Sequence, residues 1–256
     1  DLSRTISNSF DIYVMDAFAT AHRQSASTFG AILESQEACA GILFSKEIQN
    51  LDLALNSSEN VLSIVGGSKI STKLNVIKNL ISKSSKVLVG GGIANTFLKA
   101  AGYEVGLSLV EDEMIDVSKE LLNTNKMILP KNVYVADSPQ AKSAELVMVD
   151  GVSKDKMILD IELNDELKIT SASDYIIWNG PLGIFEINQF ATGTKQLVKF
   201  LESSPSKVIA GGGETIYAIS KFSDISKFHY VSTAGGAFLE YLSGYSLPSI
   251  EALRLK

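Results

Sequence analysis

Four glycine clusters, each directly after a short apolar run, are the feature of this sequence that most clearly suggests chemistry. They hold ten of the 19 glycines and lie at residues 66–67, 90–92, 211–213 and 235–236. Glycine at a strand-to-helix turn lets backbone amides approach an anion, and the helix N-terminus adds about half a positive charge. One cluster fits a tight packing turn equally well. Four clusters at one sheet edge favour a bound nucleotide.

Lys69 and Lys73 stand four residues apart around the predicted start of a helix, just after the first cluster. Like charges at this spacing repel by a few tenths of a kcal/mol, and cations at a helix N-terminus cost a similar amount. A phosphate between the two ammonium groups would reverse both effects. The alternative is that both side chains point into water.

Three further groups have types suited to a nucleotide phosphate site. Glu214 follows the third glycine cluster, where a carboxylate could share Mg²⁺ with phosphate oxygens or merely favour a helix N-terminus. The turn at residues 179–183 is followed by Glu186, at a reach suitable for ribose hydroxyls, although the motif alone fits a mere turn equally well. His22 and Arg23 resemble a loop cation pair for an anionic group, although a lone arginine is more often solvated or ion-paired.

Composition limits the class of protein. The 256 residues are 45% apolar and 20% charged, which is ordinary for a globular chain of one large domain or two small ones. The net charge of −6 argues against a nucleic-acid partner, and no stretch approaches the 20 apolar residues of a membrane span. Nothing resembles a signal peptide, and the opening at Asp1 without methionine favours a fragment. The single cysteine, Cys39, excludes an internal disulfide, suits a cytoplasmic protein and is expected to be a small buried residue.

Unalternated Val, Ile and Leu runs that alternate with helical patterns predict a doubly wound, Rossmann-like α/β domain with a parallel sheet. Strands are predicted at residues 61–65, 87–89, 208–210 and 229–231, and further ones at 133–135, 157–159 and 175–178. Apolar stripes predict helices after Ser71 and Thr194. Residues 12–15 read as a lone strand, the remnant of a second α/β domain, and residues 42–55 read as an amphipathic helix that ends at the polar residues 56–58.

Six segments, in order along the chain, strongly resemble phosphoglycerate kinase. They are DAFATAHR at 16–23, VGGSK at 65–69, GGGIANTF at 90–97, WNGPLGIFE at 178–186, GGGET at 211–215 and STAGG at 232–236. The resemblance implies the end of an N-terminal 3-phosphoglycerate domain at 1–36, a connecting helix at 37–58 and a nucleotide-binding domain at 59–245. It also implies a tail at 246–256 that returns to the N-terminal domain.

The implied activity is reversible phosphoryl transfer between 1,3-bisphosphoglycerate with MgADP and 3-phosphoglycerate with MgATP, without a covalent enzyme intermediate. By this resemblance Lys69 would stabilise the transferring group, assisted by Gly213, Gly235 and Gly236. Glu214 would hold Mg²⁺, and His22 and Arg23 would meet the 3-phosphoglycerate side. The implied nucleotide-binding residues are Gly67, Ser68, Lys73, Gly91, Gly92, Leu159, Asn179, Pro181, Gly183, Ile184, Glu186, Gly212, Gly213, Glu214 and Thr215. The implied protein is a cytoplasmic monomer that acts on small molecules, without a nucleic-acid or membrane partner.

Several positions depart from the family pattern. Glu214 stands for the usual aspartate, Ala19 and Ala234 stand for glycines, and Ile158 stands where a glycine commonly borders adenine. Residues 161–163 also differ from the usual Asp-Ile-Gly-Pro continuation.

The family's substrate site is rich in arginine, and this sequence has only Arg4, Arg23 and Arg254. It therefore cannot assemble that patch by itself. A nucleotide-binding fragment or module without catalysis stays open as the alternative function. A Rossmann oxidoreductase is disfavoured, because no Gly-x-Gly-x-x-Gly follows a strand with an acidic residue about 20 positions on.

Overall fold

The computed structural model describes residues 1–56, 60–163 and 173–256. Its centre is a six-stranded sheet in the order β11-β10-β9-β3-β4-β5, in which every neighbouring pair is parallel. The strands are β3 (Val61–Val65), β4 (Lys86–Val89), β5 (Met127–Ile128), β9 (Tyr175–Asn179), β10 (Lys207–Gly211) and β11 (Tyr230–Ser232). The predicted doubly wound α/β fold is confirmed.

Helices cover both faces of this sheet. The α-helices of the described residues are α1 (Leu2–Ser7), α2 (Ala31–Glu34), α3 (Ile42–Leu55), α4 (Leu74–Lys83), α5 (Gly91–Ala100), α6 (Ile115–Leu122), α7 (Thr192–Glu202), α8 (Gly213–Phe222), α9 (Gly235–Leu242) and α10 (Pro248–Arg254). Successive residues of β3 enter opposite cores: Val61 and Val65 pack on one side, Leu62 and Ile64 on the other. A strand covered on both faces has no polar side, which is why its sequence does not alternate.

The parallel sheet brings the four glycine clusters to one edge. Each cluster follows or ends a strand of this sheet, namely β3, β4, β10 or β11. Parallel strands place their carboxyl ends on the same side, so the clusters face a common crevice. The sequence-based expectation of one shared edge is confirmed.

Two predicted strands belong to a different sheet. Strands β7 (Glu145–Met148), β6 (Asn132–Ala136) and β8 (Met157–Glu162) form an antiparallel sheet in the order β7-β6-β8. No sequence pattern indicated this separate sheet, because partner and direction depend on contacts between segments far apart in sequence.

The N-terminal strand is not a lone one. β1 (Ile12–Met15) pairs in parallel with β2 (Glu37–Ala40), so residues 37–40 are strand and the predicted connecting helix begins at Ile42. Asp16 fixes this start, since its Oδ1 accepts the Phe44 amide at 2.8 Å. The expectation that Cys39 is buried is wrong: it is exposed on a strand of a two-stranded sheet. Residues 57 and 58 of the predicted polar break lie outside the described part of the chain.

The C-terminal helix α10 contacts the first segment of the chain. The Ser249 amide donates to the carbonyl of Ala21 at 3.1 Å, and its hydroxyl donates to the carbonyl of Thr28 at 2.6 Å. Lys256 reaches the Ser35 carbonyl at 2.8 Å. Within the described residues, no helix combines the length and the apolar character that a membrane span requires.

Candidate active site

A cleft of about 380 Å³ lies at the carboxyl edge of the parallel sheet. Ten of the residues implied for nucleotide binding line it: Gly67, Ser68, Gly91, Gly92, Leu159, Pro181, Gly183, Ile184, Glu186 and Glu214. Lys73, Asn179, Gly212, Gly213 and Thr215 are not in its wall. Lys69, Gly235, Gly236, His22 and Arg23 lie outside it as well.

The glycines at this edge fall into two groups. A Cβ at Gly66 would collide with the Pro181 carbonyl, and one at Gly91 would lie 2.6 Å from the carbonyl oxygen of Gly67. These glycines allow two turns to pack together. By contrast, a Cβ at Gly213 or Gly235 would meet nothing within 4 Å. Those two residues begin α8 and α9, so the open space lies at helix N-termini suited to an anion.

Lys73 points into the protein rather than into water. It occupies the N-cap position of α4 without a side-chain capping bond, and its ammonium donates to the carbonyl of Gly66 at 2.7 Å. A Cβ at Gly67 would lie 3.2 Å from Nζ, so the ammonium sits directly under the first glycine turn. Burial lowers the pKa of Lys73 to about 8, although the negative charge of Glu214 acts to raise it. The side chain is therefore a partly desolvated cation, which gains when a phosphate approaches.

Lys69 differs from Lys73, because its side chain is exposed. It lies in the loop between the first glycine cluster and α4. Its charge helps to keep the nearby Glu111 carboxylate ionised. The repulsion between the two ammonium groups is thus partly offset by carboxylates: Glu111 attracts Lys69, and Glu214 attracts Lys73.

Asn179 and Thr215 bind the turns together. Asn179 ends β9. Its side-chain Nδ2 donates to the carbonyl of Gly211 at 2.7 Å, and its backbone carbonyl accepts the Gly66 amide at 2.9 Å. The Thr215 hydroxyl accepts the Gly180 amide at 2.8 Å. These contacts join the ends of β3, β9 and β10, so both residues act here by shaping the turns.

Glu214 is an exposed carboxylate in the first turn of α8 and borders the cleft. Across the described ranges 1–56, 60–163 and 173–256, no three His, Cys, Asp or Glu side chains group closely enough to hold a metal ion. These residues suit a magnesium ion that takes a single carboxylate ligand from the protein and its other ligands from phosphates and water.

The Glu186 loop is held by a lysine that the sequence did not single out. Lys221 of α8 donates to the carbonyls of Phe185 at 2.8 Å and Glu186 at 3.1 Å. Its ammonium also lies 5.9 Å from the centre of the Phe185 ring. The Glu186 side chain is left exposed at the cleft rim.

His22 and Arg23 approach the last glycine cluster. A Cβ at Gly236 would lie 3.0 Å from Nε2 of His22, so the imidazole packs against the start of α9. Arg23 is exposed, and its Nε lies 3.4 Å from the same nitrogen. The loop that carries His22 and Arg23 therefore contacts the last glycine cluster and does not line the cleft.

Other residues also line the cleft. Asn95 of α5 belongs to the family-like segment 90–97, and Ile158 of β8 stands where a glycine commonly borders adenine. Leu109 and Pro139 line the cleft from two loops and had no sequence signal. Asp160 of β8 is buried in the cleft wall and accepts the Gly193 amide at 2.9 Å. Burial raises the pKa of Asp160 to about 7, although amide hydrogen bonds oppose that change.

The comparisons with known proteins agree with one another. A family model described as phosphoglycerate kinase matches residues 1–245. The phosphoglycerate kinase of Francisella tularensis subsp. novicida is 47% identical over 266 residues, which span 100% of this chain and 68% of that relative. The one from Coxiella burnetii is 43% identical over 264 residues, which span 99% of this chain and 67% of that relative.

Solved structures extend the similarity to the fold. The phosphoglycerate kinase structure from Coxiella burnetii has a TM-score of 0.95 at 41% identity, over 99% of this chain and 68% of that chain. The one from Pyrococcus horikoshii OT3 has a TM-score of 0.83 at 29% identity, over 98% of this chain and 65% of that chain. Because sequence and fold match along essentially the whole chain, the chain belongs to the phosphoglycerate kinase family.

Proposed function

We propose that the glycine-lined cleft binds MgADP or MgATP for the reaction of the phosphoglycerate kinase family. That reaction transfers a phosphoryl group reversibly between 1,3-bisphosphoglycerate and ADP. The observation that carries the proposal is that the cleft wall at Gly67 and Glu214 adjoins the partly desolvated ammonium of Lys73, beneath Gly67, and the open helix N-terminus at Gly213, next to Glu214. Phosphate oxygens satisfy both features, because they accept amide hydrogen bonds and pair with the cation.

In this proposal the two lysines have different roles. Lys73 holds nucleotide phosphates from beneath the first glycine turn, since its ammonium is fixed at 2.7 Å from the Gly66 carbonyl. Lys69 is exposed and therefore free to meet the transferring phosphoryl group. The amides of Gly213, Gly235 and Gly236 assist, and positioning with charge stabilisation suffices for this chemistry.

The remaining residues orient the two substrates. Glu186 meets the ribose from a loop that Lys221 holds, and Asn179 and Thr215 keep the glycine turns in place. His22 and Arg23 face the 3-phosphoglycerate side, beside Gly236. When bound, Mg²⁺ neutralises phosphate charge, and Glu214 is the carboxylate placed to hold it.

Substrates of this kind need no macromolecular partner, and we propose a monomer that works in the cytoplasm. The single exposed Cys39 is compatible with a reducing compartment. Sedimentation with and without MgATP tests the oligomeric state.

Gly213→Ala tests the nucleotide assignment without disturbing the fold. The added methyl group meets no atom within 4 Å, and Ala favours the helix, so stability is retained. The methyl group nevertheless fills the space where a phosphate would approach the amide. Calorimetry with MgADP and MgATP is expected to show affinity lower by about tenfold or more.

Gly151→Ala is the matched control, because its Cβ would also meet nothing within 4 Å and it is not a cleft residue. It should bind nucleotide like the unmodified protein. If Gly213→Ala binds as tightly as Gly151→Ala, the helix N-terminus of α8 does not hold phosphate and the proposed binding mode is wrong.

A further inference from the structure

We propose that Glu111 is a positioning residue for phosphoryl transfer, holding the loop that carries Lys69 against the start of α5. The inference rests on the proposed function, because it assigns Lys69 to the transferring group. Glu111 lies in the loop before α6 and is only 7% exposed. None of the six family-like segments contains it.

Both carboxylate oxygens of Glu111 contact the Lys69 loop. The Ser71 amide donates to Oε2 at 2.9 Å, and the Ser71 hydroxyl donates to Oε1 at 2.5 Å. The Ile70 amide also hydrogen-bonds to this carboxylate. Residues 70 and 71 directly follow Lys69, so these bonds fix the backbone segment that carries Lys69, whereas Lys73 is held separately through the Gly66 carbonyl.

The other end of Glu111 is attached to a rigid element. Its amide donates to the Thr96 hydroxyl at 3.2 Å, and that hydroxyl donates to the Gly92 carbonyl at 3.2 Å. Both partners belong to α5, and a Cβ at Gly92 would collide with the Ser68 carbonyl. Glu111 therefore clamps the Lys69 loop to the helix on which it already packs.

The charge of Glu111 suits this role. Burial by itself would raise its pKa, but the hydrogen bonds from Ser71 and Ile70 and the charge of Lys69 lower it. The carboxylate is therefore ionised at any pH used to assay a kinase. An ionised carboxylate only accepts hydrogen bonds, so it can serve all three donors at once.

Glu111→Leu removes these bonds at similar volume and should act on turnover rather than on substrate affinity. A misplacement of about 1 Å can cost about 100-fold in rate, so kcat should fall about 10- to 100-fold. KM for MgATP should change by less than about threefold, since Lys73 and the glycine turns keep their own contacts. Glu113→Leu, the same substitution at an exposed position of the same loop, should leave kcat unchanged.

Glu111→Gln should restore most of the lost turnover. Its carbonyl accepts the backbone amides, and the Ser71 hydroxyl can turn to accept from its amide group. If Glu111→Gln is as slow as Glu111→Leu, the hydrogen bonds do not hold the loop and the inference is wrong.

A double-mutant cycle with Lys69→Ala decides whether Glu111 acts through Lys69. If it does, Glu111→Leu lowers kcat in the unmodified protein but causes no further loss when Lys69 is already alanine. Additive losses would overturn the inference while leaving the proposed function intact. An unchanged kcat in Lys69→Ala alone would contradict the proposed role of Lys69, and the inference would fail with it.

Thermal unfolding of every variant separates positioning from loss of fold. If Glu111→Leu does not fold, Ser71→Ala takes its place in the cycle, because it removes only the hydroxyl bond. Its expected loss in kcat is about threefold, again absent in the Lys69→Ala background. Turnover unchanged by Ser71→Ala would then count against the inference.

Discussion

The depressed pKa of Lys73 should make nucleotide affinity fall as pH rises from 7 to 9. In the ligand-free protein, burial lowers this pKa from 10.5 to about 8, so the ammonium loses its proton over this range. A bound phosphate stabilises the charged form and raises the pKa again. Binding above pH 8 therefore requires uptake of a proton, and affinity decreases as protons become scarce.

The size of the effect follows from the two pKa values. If only the protonated side chain holds phosphate, the dissociation constant of MgADP rises about tenfold between pH 7 and pH 9. A charge-assisted contact of about 1.5–3 kcal/mol is large enough to permit that change. The same titration affects folding stability in the opposite direction, since stability rises with pH while nucleotide affinity falls. The unfolded chain holds this proton more tightly, so the free energy of unfolding rises between about pH 8 and 10.5, by at most about 3 kcal/mol.

Calorimetric titration of MgADP at several pH values from 7 to 9 measures the effect, since the phosphates are fully ionised over most of this range. Lys73→Met should bind at least about tenfold more weakly at pH 7 and should be nearly independent of pH. Lys69→Met is the control, because Lys69 is exposed and its loss leaves the Lys73 titration in place. A constant affinity in the unmodified protein, or the same pH dependence in Lys73→Met, would refute the reasoning.

Two further predictions concern carboxylates of the cleft. Glu214→Gln should weaken ATP binding strongly with Mg²⁺ present, because the protein loses its carboxylate ligand. Without Mg²⁺ it should leave the affinity unchanged or raise it, because it removes a negative charge next to the phosphates. Calorimetry in Mg²⁺ and in EDTA compares the two affinities, and equal losses in both would exclude the metal role. Asp160 binds its proton more tightly in the folded state, because burial raises its pKa from 3.8 to about 7. The free energy of unfolding therefore decreases between about pH 4 and 7 on account of this group. Asp160→Asn should remove about 3 kcal/mol of that dependence between pH 5 and pH 8 in urea titrations, and identical pH profiles for both proteins would contradict it.

The sequence by itself determined five of the six strands of the parallel sheet and the edge that carries the site, but not β5. Strands β3, β4 and β10 are buried on both faces, so only apolar side chains suit them and their runs are visible without alternation. Strands that alternate with helices along a chain typically form a parallel sheet, and parallel strands share a carboxyl edge. The positions of the glycine clusters along the chain therefore sufficed to predict a common crevice.

Pairing between distant segments was decided only by the tertiary structure. β2 pairs with β1, and the short strands β6 to β8 form a sheet of their own, because their partners lie elsewhere in the chain. A polar, partly exposed strand such as β2 has a sequence that fits a loop equally well. Local preference is too weak to fix such a choice.

The tertiary structure also decided which residues of a motif are free to bind. Gly66 and Gly213 look equivalent in sequence, yet a turn packs over the first while the second faces open space. Lys69 and Lys73 likewise differ only in what surrounds them: the first is exposed, and the second is desolvated beneath a glycine turn. Glu111 reaches the same loop across 40 residues of sequence. Burial and long-range contacts set the free energy of each group, and neither is encoded by the neighbours of a residue along the chain.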